Sequence, residues 1–285
     1  MNKREIFGWG LYHIGNLFYK NEKFLSIYFH APSPVLFEQI IVWCKKRGYR
    51  FIDINECYNI LSCKTKLKEK VVYLSFDDGW NSNLKLLPIV EKYNAPITIF
   101  VATEPIERGN YWWEYAGKAK EPNKIPKMKK LEHSKFIEEL EILKKEIKLE
   151  RSSITEDELD VLAKHPLVSL QSHTVTHPIL TNCSQETLDW ELLKSKKYLE
   201  ENTGEEVFAF SYPNGDVGDR EVNAVEKAGY KIAFTTKAHK IVTTSPGNLY
   251  LIPRKAINTL GGKYENLAKI IGVWQKTFNL LKRPK

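Results

Sequence analysis

VVYLSFDDGWNS, residues 71–82, decides how this chain is read. The strand-like run Val71 to Phe76 stops on two adjacent carboxylates, Asp77 and Asp78, followed by Gly79. Like charges on neighbouring residues cost energy unless a cation lies close or one acid takes a proton. An Asp-Gly pair between two strands would be a hairpin turn. Here the following SNLKLLPIVEKY spaces its apolar residues helically, with Pro88 placed to bend the helix, so no return strand follows. A buried strand that ends on two acids and passes into a helix fits a parallel α/β sheet. In such sheets functional groups gather at the carboxyl ends of the strands.

The same alternation runs outward in both directions. FLSIYF (24–29) reads as a strand ending on His30, and PSPVLFEQIIVWCKKRG as a helix opened by Pro34 and closed by Gly48. YRFIDI (49–54), APITIFVAT (95–103), LVSLQS (167–172) and EVFAFSY are further strands, the last running into PNGD. SQETLDWELLKSKKYLEENTG is a helix with Ser184 as its cap and Gly204 as its stop. A helix over Asp219 to Ala228, the strands YKIAFTT and LYLIPRKAI, and a C-terminal helix complete the pattern. The fold class is α/β, one barrel domain over 24–260, with a helical extension at 1–23 and a helix and basic tail at 261–285. Residues 104–150 change texture, with the aromatic patch YWWEY, a lysine-proline loop and a charged helix from about Leu131. They read as an insertion too charged to carry its own core.

The chain has 285 residues with a formal net charge of +8. That balance favours an anionic neighbour such as a membrane surface or an acidic glycan, although lysine-rich stretches are more often solvated faces. No recognition helix, zinc finger or RNA-binding sheet accompanies the charge, so nucleic acid is not expected as a partner. The four cysteines, Cys44, Cys57, Cys63 and Cys183, form no metal-like spacing and read as reduced thiols of a cytosolic protein. The N-terminal stretch does not read as a signal peptide, and no run reaches the about 18 apolar residues of a membrane span. Ile6 to Tyr19 does space apolar side chains helically, which admits peripheral membrane contact beside the plainer reading as a packed helix.

Four strand ends carry unusual polar residues: His30, Asp77 with Asp78, His173 with His177, and Tyr212-Pro213-Asn214-Gly215. On a helical turn the HTVTH spacing would bring both imidazoles to one side. Two histidines and a carboxylate from another strand end make a mixed nitrogen and oxygen set with open positions, suited to a catalytic divalent ion. A second acid beside the ligand can then serve as a base toward water, which gives two adjacent carboxylates separate roles.

SFDDG, HTVTH and YPNG together resemble the first three motifs of the NodB-homology polysaccharide deacetylases, carbohydrate esterase family four, over about Phe24 to Ile257. The resemblance implies a distorted (β/α)7 barrel and a divalent metal, usually zinc and sometimes cobalt or nickel. It also implies hydrolysis of acetyl groups, mostly from N-acetylated amino sugars. Carried over residue by residue, Asp77 matches the general base, and Asp78, His173 and His177 match the metal ligands. Asn214 stands where the family usually has a tyrosine whose backbone N–H helps hold the oxyanion.

Two departures stand out. Many members carry an arginine at the position of Ser211 to orient the base, and Arg254 in LIPRKAI is the candidate replacement by its place at a strand end. The usual Leu-x-His motif near the C-terminus is absent. IYFHAPSP resembles the segment that comes first in circularly permuted members, which assigns His30 as the general acid, with His239 as the fallback. His13, His133 and His165 read as structural or surface residues. Tyr212, Trp112 and Trp113 are the candidate substrate contacts, the tryptophans serving either as sugar-stacking planes or as a wedge that anchors the insertion. The expected activity is deacetylation of an amino sugar in a polysaccharide or its precursor, on the cytosolic side of a membrane. An amidase or deformylase on another substrate and a metal-bearing protein that only binds carbohydrate are the alternatives.

Overall fold

Eight strands form one sheet in the computed structural model, which describes residues 3–236, 241 and 247–281. They are β1 (Phe24–Phe29), β2 (Arg50–Ile52), β3 (Val71–Asp78), β4 (Ile97–Val101), β5 (Val168–Ser172), β6 (Ala209–Ser211), β7 (Ile232–Phe234) and β8 (Lys255–Ala256). Seven of them follow the path β7-β6-β5-β4-β3-β1-β8, and every pairing is parallel. β2 pairs with the first residues of β3, Arg50 opposite Val71, while β4 pairs with the rest, Leu74 opposite Ile97 through Asp78 opposite Val101. A parallel bridge between Phe234 and Ile252 joins β7 to the segment that leads into β8, and β8 pairs with β1. The segment 252–256 therefore closes the ring, and the (β/α)7 barrel expected from the motifs is the fold observed.

Alternation along each strand separates two apolar layers. Val72, Leu74 and Phe76 of β3 pack outward with Ile97, Ile99 and the helix residues Phe37, Ile40 and Ile41. Val71 and Tyr73 face inward with Phe100 and Phe234. Tyr73 stacks on Phe234 from a strand that is not its neighbour, at 5.2 Å between ring centroids, which is a contact across the barrel.

Some local expectations change. Pro88 bends no helix: a 3-10 turn, Asn81–Leu86, gives way to a new helix, Leu87–Tyr93, with the proline in its first turn, where its missing N–H costs nothing. In YRFIDI only Arg50–Ile52 is strand, because Asp53 accepts the Glu56 N–H at 2.8 Å and caps the next helix, Ile54–Leu61. The segment 104–150 holds the helices Glu104–Arg108, Trp112–Lys118, Lys124–Met128 and His133–Glu146. It does carry a small core, contrary to its charged texture: Trp112, Tyr115, Met128, Phe136, Leu140 and Leu143 form a separate buried cluster. Phe136, Leu140 and Leu143 recur at helical spacing, so the charges fall on the opposite face. Among the described residues no helix is long and apolar enough to cross a membrane.

Candidate active site

Neighbours on an extended strand point to opposite faces, so Asp77 and Asp78 should part company. Asp77 points inward, two residues beyond the inward Ser75. Asp78 leaves the strand with φ of +79°, a left-handed conformation that Asp tolerates better than most residues. Both carboxylates are buried and both line one cavity of about 470 Å³ at the carboxyl end of the barrel.

Asp77 is gripped by Arg254. Nη1 donates to Oδ1 at 2.7 Å and Nη2 to Oδ2 at 2.8 Å, a forked pair in which the arginine is fully buried. The same guanidinium donates to Ser75 Oγ at 3.0 Å, Ser211 Oγ at 2.7 Å and the Thr235 carbonyl at 3.3 Å. Ser211 thus occupies the strand position of the arginine common in the resembled family and accepts a hydrogen bond from an arginine that arrives from the barrel closure. Burial pushes the Asp77 carboxyl up, but Arg254, with His173 and His30, outweighs it and holds the group below its ordinary value.

Asp78 faces the two histidines. Its Oδ1 lies 3.5 Å from His173 Nε2 and 3.4 Å from His177 Nε2, and the donor atoms of the three residues lie within 4.8 Å of one another. Trp80 Nε1 donates to Asp78 Oδ2 at 2.8 Å, which turns Oδ1 toward the imidazoles. His173 Nδ1 donates to the Ser211 carbonyl at 2.7 Å, leaving Nε2 to face the centre. Burial and the neighbouring His173 push His177 down to about 3 against the pull of Asp78, so its ring is neutral at pH 7. Two imidazoles and a carboxylate, with Asp78 and His173 oriented by hydrogen bonds from behind, make a donor set that fits a divalent ion.

The histidines do not sit on the helical turn that their four-residue spacing would allow. HTVTH is a loop beyond β5, with φ of +70° at Thr174 and +54° at His177. Its fold is imposed by Glu191 of the helix Gln185–Thr203, whose Oε2 accepts the Val175 N–H at 2.7 Å and the Thr176 N–H at 3.0 Å. Glu191 Oε1 accepts the Thr176 hydroxyl at 2.5 Å, and Trp112 Nε1 donates to the His177 carbonyl at 3.0 Å. The imidazoles end 4.7 Å apart by ring centroid.

The polysaccharide deacetylase family model matches residues 64–233. The chain belongs to that family. The putative polysaccharide deacetylase YxkH of Bacillus subtilis (strain 168) is 24% identical over 202 residues, covering 70% of this chain and 57% of that protein. The chain thus spans little more than half of that relative's length. The poly-beta-1,6-N-acetyl-D-glucosamine N-deacetylase of Staphylococcus aureus (strain MSSA476) is 26% identical over 88% of this chain and 75% of that protein. Among solved structures, Streptococcus pyogenes deacetylase PplD in complex with acetate superposes with a TM-score of 0.60 at 25% identity, covering 87% of this chain and 97% of that one.

The rest of the cavity wall in this deacetylase-family chain comes from three directions. His30, half-buried at the end of β1, lines it beside Tyr28, and Asn83 Nδ2 donates to the His30 carbonyl at 2.9 Å. Asn214 sits at the rim with φ of +57° in the turn Pro213–Gly215. That turn needs its glycine, since a Cβ on Gly215 would fall 2.0 Å from Thr236 Oγ1. The third side is the segment 104–150, which contributes Trp112, Trp113, Ile125 and Lys129. Trp113 is half-exposed, stacks on Tyr111 at 4.7 Å and meets the His177 ring edge-on at 4.6 Å.

Not every candidate from the sequence reaches the cavity. Tyr212 is fully buried and packs on Phe210 at 5.2 Å in the outer layer, so its side chain is closed to substrate. Alternation explains this: Ser211 takes the inward position at the end of β6, which sends Phe210 and Tyr212 outward. Trp112 is almost wholly buried in the core of segment 104–150 and acts as the anchor of the His177 loop, while Trp113 presents the open aromatic face. His239 lies outside the described residues. His165 is paired with Glu91 at 3.1 Å, away from the cavity. Trp80, Lys129 and Glu191 were not singled out by sequence. Lys129 Nζ donates to Asn214 Oδ1 at 2.5 Å, a contact between distant segments that no local pattern announces.

Proposed function

We propose that this chain is a metal-dependent hydrolase that removes acetyl groups from N-acetylated amino sugars of a polysaccharide or its glycan precursor. The observation that carries the reading is the division of the adjacent acids: Asp77 is held by Arg254, and Asp78 faces His173 and His177. A structural turn has no use for a fully buried arginine committed to one of two neighbouring carboxylates. The names of the relatives add support: one acts on poly-beta-1,6-N-acetyl-D-glucosamine, and a structural neighbour holds acetate.

A divalent ion on Asp78, His173 and His177, zinc by its donor set with cobalt or nickel as substitutes, would supply a Lewis acid that polarises the acetyl carbonyl and acidifies water. The side chains do the rest in this reading. Asp77 accepts the proton of the attacking water on a lone pair not used by Arg254, since each carboxylate oxygen offers two. Arg254 fixes the plane of that carboxylate and keeps it ionised. The Asn214 backbone N–H steadies the oxyanion at the cavity rim. His30, across the cavity, gives its proton to the departing nitrogen. Trp113, and Trp80 beside it, offer apolar planes to the sugar ring. We place this work on the cytosolic side of a membrane, consistent with four cysteines that are all free.

The test is acetate release from a panel of N-acetylated sugars and oligosaccharides, with and without a chelator. Chelator-sensitive release supports the reading. Turnover of a small amide without sugar-derived acetate would instead favour a general amidase, and bound metal with no turnover a binding protein.

A further inference from the structure

The N-terminal helix, Lys3–Phe18, is turned inside out. A surface helix normally buries its large apolar side chains and shows polar ones to water. Here Ile6, Trp9, Ile14, Leu17 and Phe18 are 56%, 48%, 66%, 79% and 81% exposed. The face that packs inward carries Glu5, Gly8, Tyr12 and Gly15 instead. A Cβ on Gly8 would fall 2.6 Å from the backbone N of Glu265, and one on Gly15 would fall 2.4 Å from Val273 Cγ1. The helix is therefore docked closely on the helices Lys263–Ile270 and Val273–Leu281.

Polar contacts fix that orientation. The Glu5 carboxylate accepts the Tyr264 and Glu265 N–H groups at 2.9 and 3.1 Å, Arg4 Nη2 donates to Glu265 Oε1 at 2.6 Å, and Trp43 Nε1 donates to the Tyr12 hydroxyl at 2.9 Å. The outward apolar face is thus a property of the packed fold and not of a loose end.

We infer that this face lies in the interfacial layer of a membrane containing anionic lipid. Charge selects that occupant over a second copy of the chain. Exposed Lys3 lies at one end of the helix and exposed Lys20 and Lys23 just beyond the other, while its one acid, Glu5, is buried. Two copies paired face to face about a two-fold axis would bring these lysines together. Lipid phosphates would neutralise them, and the apolar stripe with its tryptophan suits the boundary between headgroups and acyl chains.

The experiment is co-sedimentation of the full chain with vesicles of phosphatidylcholine alone or mixed with phosphatidylglycerol, a readout independent of any deacetylase activity. The protein should pellet with the mixed vesicles, bind neutral ones more weakly and be released by salt. The double variant Leu17→Glu, Phe18→Glu should lower partitioning at least about tenfold. Val161→Glu, an exposed apolar position on a different helix, should leave it unchanged. Ile14→Gln serves as a milder single variant, with an unchanged unfolding midpoint as the check on folding. Absence of wild-type binding, equal binding by the double variant, or a vesicle-independent dimer that the same substitutions dissolve would overturn the inference.

Discussion

Arg254 and Asp77 form a forked ion pair inside the barrel, both hydrogen bonds at or below 2.8 Å, with the arginine delivered by the segment that joins β7 to β1. Closing the barrel and orienting the acid are therefore one structural event. Replacing Arg254 by Met leaves a buried carboxylate without its cation, which costs about 3–5 kcal/mol of stability. Activity should fall sharply while bound metal stays near the wild-type level, because Asp78, His173 and His177 are untouched. Arg254→Lys keeps a charge but loses the fork and should fall between the two. Denaturant unfolding and metal content, measured beside turnover, check this. Equal activity in Arg254→Met would remove the arginine from the account.

Glu191 gives a pH signature of its own. Burial pushes its carboxyl up to about 7, against the hydrogen bonds from Thr176 and Val175. The folded value lies above the unfolded one, about 4.3, so the folded chain holds a proton that the unfolded chain has released. Its contribution to stability is complete below the unfolded value and is lost as pH rises through about 7. Glu191→Gln should flatten that part of the stability curve and keep the loop, since an amide can still accept both N–H groups. Glu191→Ala should leave those groups without an acceptor and weaken metal binding by roughly 10–100-fold. Unfolding midpoints across this pH range, with metal titrations, decide it.

The neighbouring tryptophans should separate. Trp112→Ala empties a buried site and removes the bond to the His177 carbonyl. A loss of about 3–5 kcal/mol and weaker metal binding should follow. Trp113→Ala should leave folding and metal content near normal and act on substrate, raising KM several-fold more than it lowers kcat. A Trp113 variant with unchanged KM on every accepted substrate would show that the half-exposed ring does not carry the sugar.

Much of this was legible in the sequence, for identifiable reasons. The alternation of strands and helices gave the barrel, because its strands are continuous apolar runs with clear stops. The adjacent acids and the two histidines marked the centre, because such groups are costly to bury unless they act together. Arg254 could be proposed from its place at a strand end, although only the fold brings it to Asp77. The features that no local pattern encodes are tertiary. The loop that aims His173 and His177 is shaped by Glu191 on the following helix, and the outward turn of Tyr212 follows from the inward place of Ser211. The Lys129 contact with Asn214 joins segments whose adjacency no local pattern encodes.

The most direct test of the central claim, that Asp77 is the base beside a metal-binding set, is acetate release by wild type and Asp77→Asn at equal measured metal content. N-acetylglucosamine oligomers are the first substrate. The account predicts chelator-sensitive release by wild type and a fall of at least about 100-fold in the variant, with metal retained. Wild-type release by Asp77→Asn at full metal occupancy would contradict it.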